Sequence, residues 1–132
     1  HKYSKGGNFN ASVTVDDGNG TPCSVDTTSV PMRVNTRPVA NCGPNTSCCV
    51  GQEVPFDGSG SSDADGDTLS YHWDFGDGTT ADSAKVMHAY NKIGTYKAVL
   101  TVDDGSGLAC SKAKCSFTTK VNEKPTSVIE VK

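Results

Sequence analysis

Trp73-Asp74-Phe75-Gly76-Asp77-Gly78 is the stretch that decides how this chain folds. Leading into it, Leu69, Tyr71, Trp73 and Phe75 alternate with Ser70, His72 and Asp74, the period of two expected of a half-buried strand. Gly76 and Gly78 then permit backbone angles that a side chain would forbid. Asp74 and Asp77 can accept bonds from nearby backbone N–H groups and hold the turn. His72 alternates with the apolar residues and is expected to face outward. Further along, Tyr96, Ala98, Leu100 and Val102 share one face, with Thr95, Lys97, Val99 and Thr101 on the other. Glu53-Val54-Pro55-Phe56 reads as a short strand, placed at an edge or irregular position by Pro55. Ser116 to Val121 reads as a closing strand. Asp57 to Asp67, rich in Gly, Ser and Asp, reads as a long turn. No segment shows a 3.6-residue period, and short strands separated by turns predict an all-β, two-sheet sandwich.

Composition agrees. The 132 residues fit one ordinary domain, and 14 glycines suit many turns. A net charge of −3 lacks the basic stripe that nucleic acid requires. No apolar run is long enough for a membrane-spanning helix. Six cysteines in a small, loop-rich chain imply an oxidising, extracellular or cell-surface setting. None has CxxC spacing, which disfavours structural zinc. The start at His1, without Met or a signal peptide, suits a processed or excised piece.

The chain repeats itself with a constant shift of 87 residues, as from His1 to His88. His1-Lys2-Tyr3 matches His88-Ala89-Tyr90. Gly7, Phe9 and Ala11 match Gly94, Tyr96 and Ala98. Thr14 to Gly20 matches Thr101 to Gly107, Cys23 matches Cys110, and Val34-Asn35 matches Val121-Asn122. Such a period suits a self-contained sandwich. Residues 38–122 are therefore expected to form a complete repeat. Residues 1–37 would be the last strands of a preceding one. Residues 123–132 would be the linker and first strand of the next, with Ser127 to Val131 as that strand. Tyr3, Phe9, Tyr90 and Tyr96 are expected in cores. Two strands cannot bury their apolar face alone, so the chain reads as a window from a longer array.

Taken together, these residues resemble PKD domains. The motif Trp73 to Gly78, the stretch Phe56 to Asp67, and His88-Ala89-Tyr90 through Gly94-Thr95-Tyr96 occur in that family's order across 38–122. The resemblance implies an Ig-like sandwich in which Trp73 fills the space between the sheets. It also implies a surface or secreted protein carrying tandem copies or a neighbouring catalytic domain. The Asp74-Phe75-Gly76 triplet is no kinase motif, because no nucleotide loop or catalytic loop accompanies it.

Asp63-Ala64-Asp65-Gly66-Asp67 opens like an EF-hand loop, but Asp74 stands where the closing Glu is required and no flanking helices exist. The resemblance implies a different Ca²⁺ site at the start of the domain, with Asn35, Thr36, Asp63, Asp65 and either Asp103 or Asp104 as ligands. If Ca²⁺ binds, it would fix the angle between repeats, with Asn122 serving the next joint. Among the cysteines, Cys48 and Cys49 point to opposite faces of a strand. One of them is expected to pair with Cys110, Cys42 with Cys115, and the remaining vicinal cysteine with Cys23; composition alone leaves 15 pairings open. Asn10, Asn19 and Asn45 lie in glycosylation sequons.

No nucleophile–base pair can be nominated from the three histidines, so no enzyme activity is expected. The residues point to an extracellular structural repeat, a spacer, adhesive stalk or building block of a fibre. Its partners would be neighbouring repeats, copies of itself, or a surface or matrix polymer. Two alternatives stand beside it: an accessory module presenting a polysaccharide or protein fibre to a secreted hydrolase, and a filament subunit that exchanges strands.

Overall fold

The structure, a computed structural model, describes residues 1–125, so the strand expected over 127–131 lies outside the described residues. Nine strands follow in order: β1 (Gly7–Asp16), β2 (Val25–Val34), β3 (Thr46–Cys49), β4 (Glu53–Asp57), β5 (Ser70–Asp74), β6 (Thr80–Ala81), β7 (Lys85–Ala89), β8 (Gly94–Asp103) and β9 (Lys112–Asn122). No α-helix occurs among the described residues. One sheet runs β3-β9-β8-β5-β6, with β3 parallel to β9 and the other pairs antiparallel. The second sheet is the antiparallel pair β4-β7. Their facing sides make an all-β, Ig-like sandwich.

The alternation read from the sequence is what fills it. Ala98, Leu100 and Val102 of β8 are fully buried, as is Trp73 of β5. Phe56 reaches from the smaller sheet into this core. Its ring lies 5.4 Å from Trp73, 4.9 Å from Phe75 and 5.3 Å from Phe117, mostly edge to face. Each such side chain contributes roughly 1.5–3 kcal/mol by leaving water. The polar ends of the buried aromatics are partnered: Trp73 Nε1 donates to Ser83 O at 3.1 Å, and Tyr90 Oη donates to Phe75 O at 2.9 Å. Behind β5, Asp74 accepts from Gly76 N and Asp77 accepts from Thr79 N. Gly76 has φ 81°, and a Cβ there would stand 2.6 Å from the Lys97 carbonyl oxygen. Only glycine satisfies both limits.

β1 and β2 form a separate antiparallel hairpin. Its register runs from Gly7↔Val34 to Asp16↔Val25, and that of β8-β9 from Gly94↔Val121 to Asp103↔Lys112. The shift of 87 residues read from the sequence therefore superimposes one hairpin on the other, pair for pair. Their surroundings differ. Leu100, Val102 and Phe117 are buried, whereas the matching Val13, Val15 and Val30 are exposed. Tyr3 and Phe9 also depart from the core placement expected of them. They stack on each other at 4.5 Å, only half-buried, because no second sheet covers this hairpin among the described residues.

The cysteines correct two of the expected pairings, those of the vicinal cysteines with Cys110 and with Cys23. Cys42 and Cys115 form a disulfide, their Cα atoms 6.0 Å apart. Cys23, Cys48, Cys49 and Cys110 carry free thiols. Cys48 pairs in the ladder with Val121 and Cys49 with Asn122, at the far end of β9, while Cys110 precedes the start of that strand. The length of β9 separates them, roughly 30 Å at about 3.3 Å per residue, and a disulfide needs Cα atoms within about 7 Å. Cys23 sits exposed at the tip of the β1-β2 hairpin. The closing strand also begins earlier than expected, at Lys112.

Candidate functional site at the domain entrance

The turn after β4 carries the three carboxylates of Asp63, Asp65 and Asp67. Each offers an oxygen within 4.8 Å of the others. Asp63 folds the loop on itself, its Oδ1 accepting from Asp65 N at 2.9 Å and Asp67 N at 3.2 Å. Its other oxygen, Oδ2, is buried without a hydrogen-bond partner. A buried acceptor left unpaired costs about 1–3 kcal/mol. Three like charges this close also repel unless a cation stands near.

The segment leaving β2 closes over this loop. Thr36 donates twice to Asp65, from its backbone N at 2.6 Å and from Oγ1 at 3.1 Å. Asn35 Nδ2 donates to Asp104 Oδ2 at 2.7 Å. Asp104 is buried, and Asn35's hydrogen bond, aided by the Ser106 amide, holds its carboxyl below the usual carboxylate value. Arg33 forms an ion pair with Asp67. Gly6, leading into β1, lies against the same loop: a Cβ there would come within 2.9 Å of Asp65 Cγ and would collide with its oxygen and with Thr36 Oγ1. The preceding hairpin is thus clasped to the sandwich through Gly6, Arg33, Asn35 and Thr36.

Of the candidate ligands, Asp63 and Asp65 lie in the carboxylate cluster, Thr36 bonds to Asp65, and Asn35 bonds to Asp104. Asp103 does not join them. It caps the tip of the β8-β9 hairpin, accepting from Gly105 N at 3.0 Å and pairing with Lys112 at 3.5 Å. Adjacent residues at a strand end point to opposite sides, so only one of the two aspartates can turn inward. Arg33 and Asp67 were not nominated from the sequence. Asp67 completes the Asp63-x-Asp65-x-Asp67 spacing, which was a usable signal. Arg33 matches Lys120 under the repeat, which placed a cation beside the linker. The gathered oxygens, with one buried and unpaired, suit a hard divalent cation. The nearest soft donor is Cys110 Sγ, 3.6 Å from both Asn35 Nδ2 and Asn35 O.

The other nominated residues lie elsewhere. Trp73 to Gly78 build the core and its turn, as described above. His88 Nε2 meets Asp77 Oδ2 at 2.8 Å and stacks on Phe75 at 4.0 Å, pinning that turn to β7. His72 faces outward and pairs with exposed Asp82. Asn10 lies exposed on β1, and Asn19 at the hairpin tip, where its amide bonds to Asp17. Asn45 Oδ1 accepts from Thr118 N at 2.9 Å. No helix among the described residues is long and apolar enough to cross a membrane.

Comparison with known proteins gives this geometry its context. Collagenase ColA of Clostridium perfringens is 38% identical over 129 residues, covering 98% of this chain and 11% of that protein. The match includes the first hairpin as well as the sandwich. The chain thus spans about a tenth of that collagenase, and 9% of the similar collagenase ColQ1 of Bacillus cereus. The PKD1 domain of Vibrio anguillarum Epp superimposes with a TM-score of 0.57 at 33% identity, over 69% of this chain and 100% of that one. A structure described for carbohydrate-binding modules of the β-sandwich superfamily superimposes with a TM-score of 0.59 at 32% identity, over 68% of this chain and 36% of that one. The family profile described as PKD domain matches residues 35–119, from the clasp through β9. This chain belongs to the PKD domain family.

Proposed function

We propose that this chain is a non-catalytic, joint-forming module of an extracellular hydrolase related to the bacterial collagenases. In this reading residues 1–37 end one PKD-like repeat, 38–122 form the next, and 123–132 lead onward. The observation that carries it is the clasp. Contacts from Gly6, Arg33 and Thr36 converge on one acidic loop, and Asn35 adds a bond to Asp104, so the two units are held at a fixed angle. The relatives favour an accessory module over a free-standing stalk, since a relative that matches nearly the whole chain is a collagenase. A rigid joint would set the distance and orientation at which a catalytic domain meets a polymeric substrate.

Ca²⁺ belongs to this proposal. Asp63 Oδ2, Asp65, Asp67 and Asp104, with oxygens of Asn35 and Thr36, would hold it. When bound, the ion supplies positive charge that offsets the mutual repulsion of the aspartates and partners the buried oxygen of Asp63. The protein's own groups already draw the linker to the loop, and the ion would stiffen that closure. Titration calorimetry on the chain tests this. One Ca²⁺ per chain is expected, with a thermal midpoint that rises on binding and returns on chelation, and Asp65→Asn should weaken binding at least tenfold. No heat of binding and an unchanged midpoint would overturn the metal reading.

A further inference from the structure

The repeat makes the two ends of the sandwich directly comparable. At its entrance, Gly6, Gly7, Asn8 and Arg33 of the preceding hairpin face Ala64, Asp65 and Asp67 of the aspartate loop across an open concavity, with Gly6 against Asp65 and Arg33 paired to Asp67. At its exit, the positions shifted by 87 residues are Ile93, Gly94, Thr95 and Lys120. These residues, with Val121, Asn122 and Glu123, line an open concavity of about 500 Å³. The hairpin register is the same in both places, so the sockets have the same backbone frame. Lys120 stands where Arg33 holds Asp67, and it makes no ion pair among the described residues.

One position breaks the likeness. Gly6 lies so close to Asp65 and Thr36 that even a Cβ there collides with them. Its counterpart is Ile93, which is 58% exposed and lines the concavity. An isoleucine there would displace the carboxylate and hydroxyl ends that Asp65 and Thr36 place against Gly6, and its apolar surface would strip water from a carboxylate without offering a hydrogen bond.

Resting on the joint-module reading, we propose that the exit socket receives a following domain through an apolar side chain set against Ile93 and a carboxylate set against Lys120. Ile93 bars from it the type of aspartate loop that packs against Gly6 at the entrance. The two joints of one sandwich thus select different neighbours, and a single residue sets the order in which modules follow one another.

The test inserts a second copy of residues 36–122 after Asn122, so that a second aspartate loop faces the exit socket through an equal linker. Spin-label pairs across each joint report the two distance distributions in one molecule. With Ile93 in place, the first joint should give a narrow distribution and the second a broad one. Ile93→Gly should shift the second to the narrow distance of the first, and Gly6→Ile should broaden the first. A second joint already narrow with Ile93, or still broad with Ile93→Gly, overturns the selection. A broad first joint in the unaltered chain overturns the joint-module reading itself. In the natural full-length polypeptide, Ile93→Asp and Lys120→Glu should each broaden the exit joint, and unchanged distributions for both would overturn the docking.

Discussion

Tyr90 ties a turn to a strand through one buried hydroxyl. Its ring is fully buried and stacked on Tyr96 at 4.4 Å, and its Oη donates to Phe75 O. Burial pushes its pKa from 10.0 up to about 12. A raised value means the folded state keeps its proton where the unfolded state has lost it. The resulting stabilisation is complete below pH 10 and disappears as pH rises to about 12. Urea midpoints should therefore fall across that window, and Tyr90→Phe should flatten the fall while losing about 1 kcal/mol at neutral pH with its hydrogen bond. Equal slopes for both proteins would contradict the assignment. At this same scale the clasp was partly legible. The resemblance supplied Asn35, Thr36, Asp63 and Asp65, because residue types and order carry over between relatives. It left Asp103 and Asp104 undecided, since which of two adjacent aspartates turns inward depends on the strand register. Arg33 went unnoticed because an ion pair across the joint depends on how the two units meet, which no local pattern records.

Strands were more legible than their surroundings. The period-two faces of β5 and β8 point as the alternation required, because a one-residue slip would move Trp73, Leu100 and Val102 into water. The short strands β3 and β7 were less evident; their few residues hold too little pattern, and ladder partners far along the chain define them. The cysteines show the same limit. Cys42 and Cys115 were paired by their shared absence from the repeat, whereas the Cys110 pairing failed on the length of β9. The disulfide ties the segment before β3 to β9 across 73 residues. Replacing both cysteines by serine should lower stability by about 2–4 kcal/mol, measured by urea denaturation. An unchanged midpoint would show that the ladder between β3 and β9 alone secures this edge.

Across the whole molecule, the two hairpins pose the larger question. They share a sequence pattern and register, yet among the described residues one is packed and the other is bare on its apolar side. The hairpin β1-β2 gains its connection to the sandwich from polar contacts at one end rather than from a shared core. An arrangement of that kind gives a defined angle without fusing the units, which suits a module that spaces and orients larger domains. Repetition was plain in the sequence because it needs only matching residues at a fixed shift. The angle was not, because it rests on three carboxylates, a linker and a glycine that lie far apart along the chain.

The distance between the β1-β2 hairpin and the sandwich tests this account most directly. Spin labels at exposed Ser12 and Lys114 would report it by double electron–electron resonance, in the chain and in its Asp65→Asn and Gly6→Ile variants. The account predicts one narrow distance in the unaltered chain, sharpened by Ca²⁺, and a broad distribution in both variants. A broad distribution in the unaltered chain, insensitive to Ca²⁺ and to both substitutions, would show that the clasp holds nothing and that the module is a loose tether.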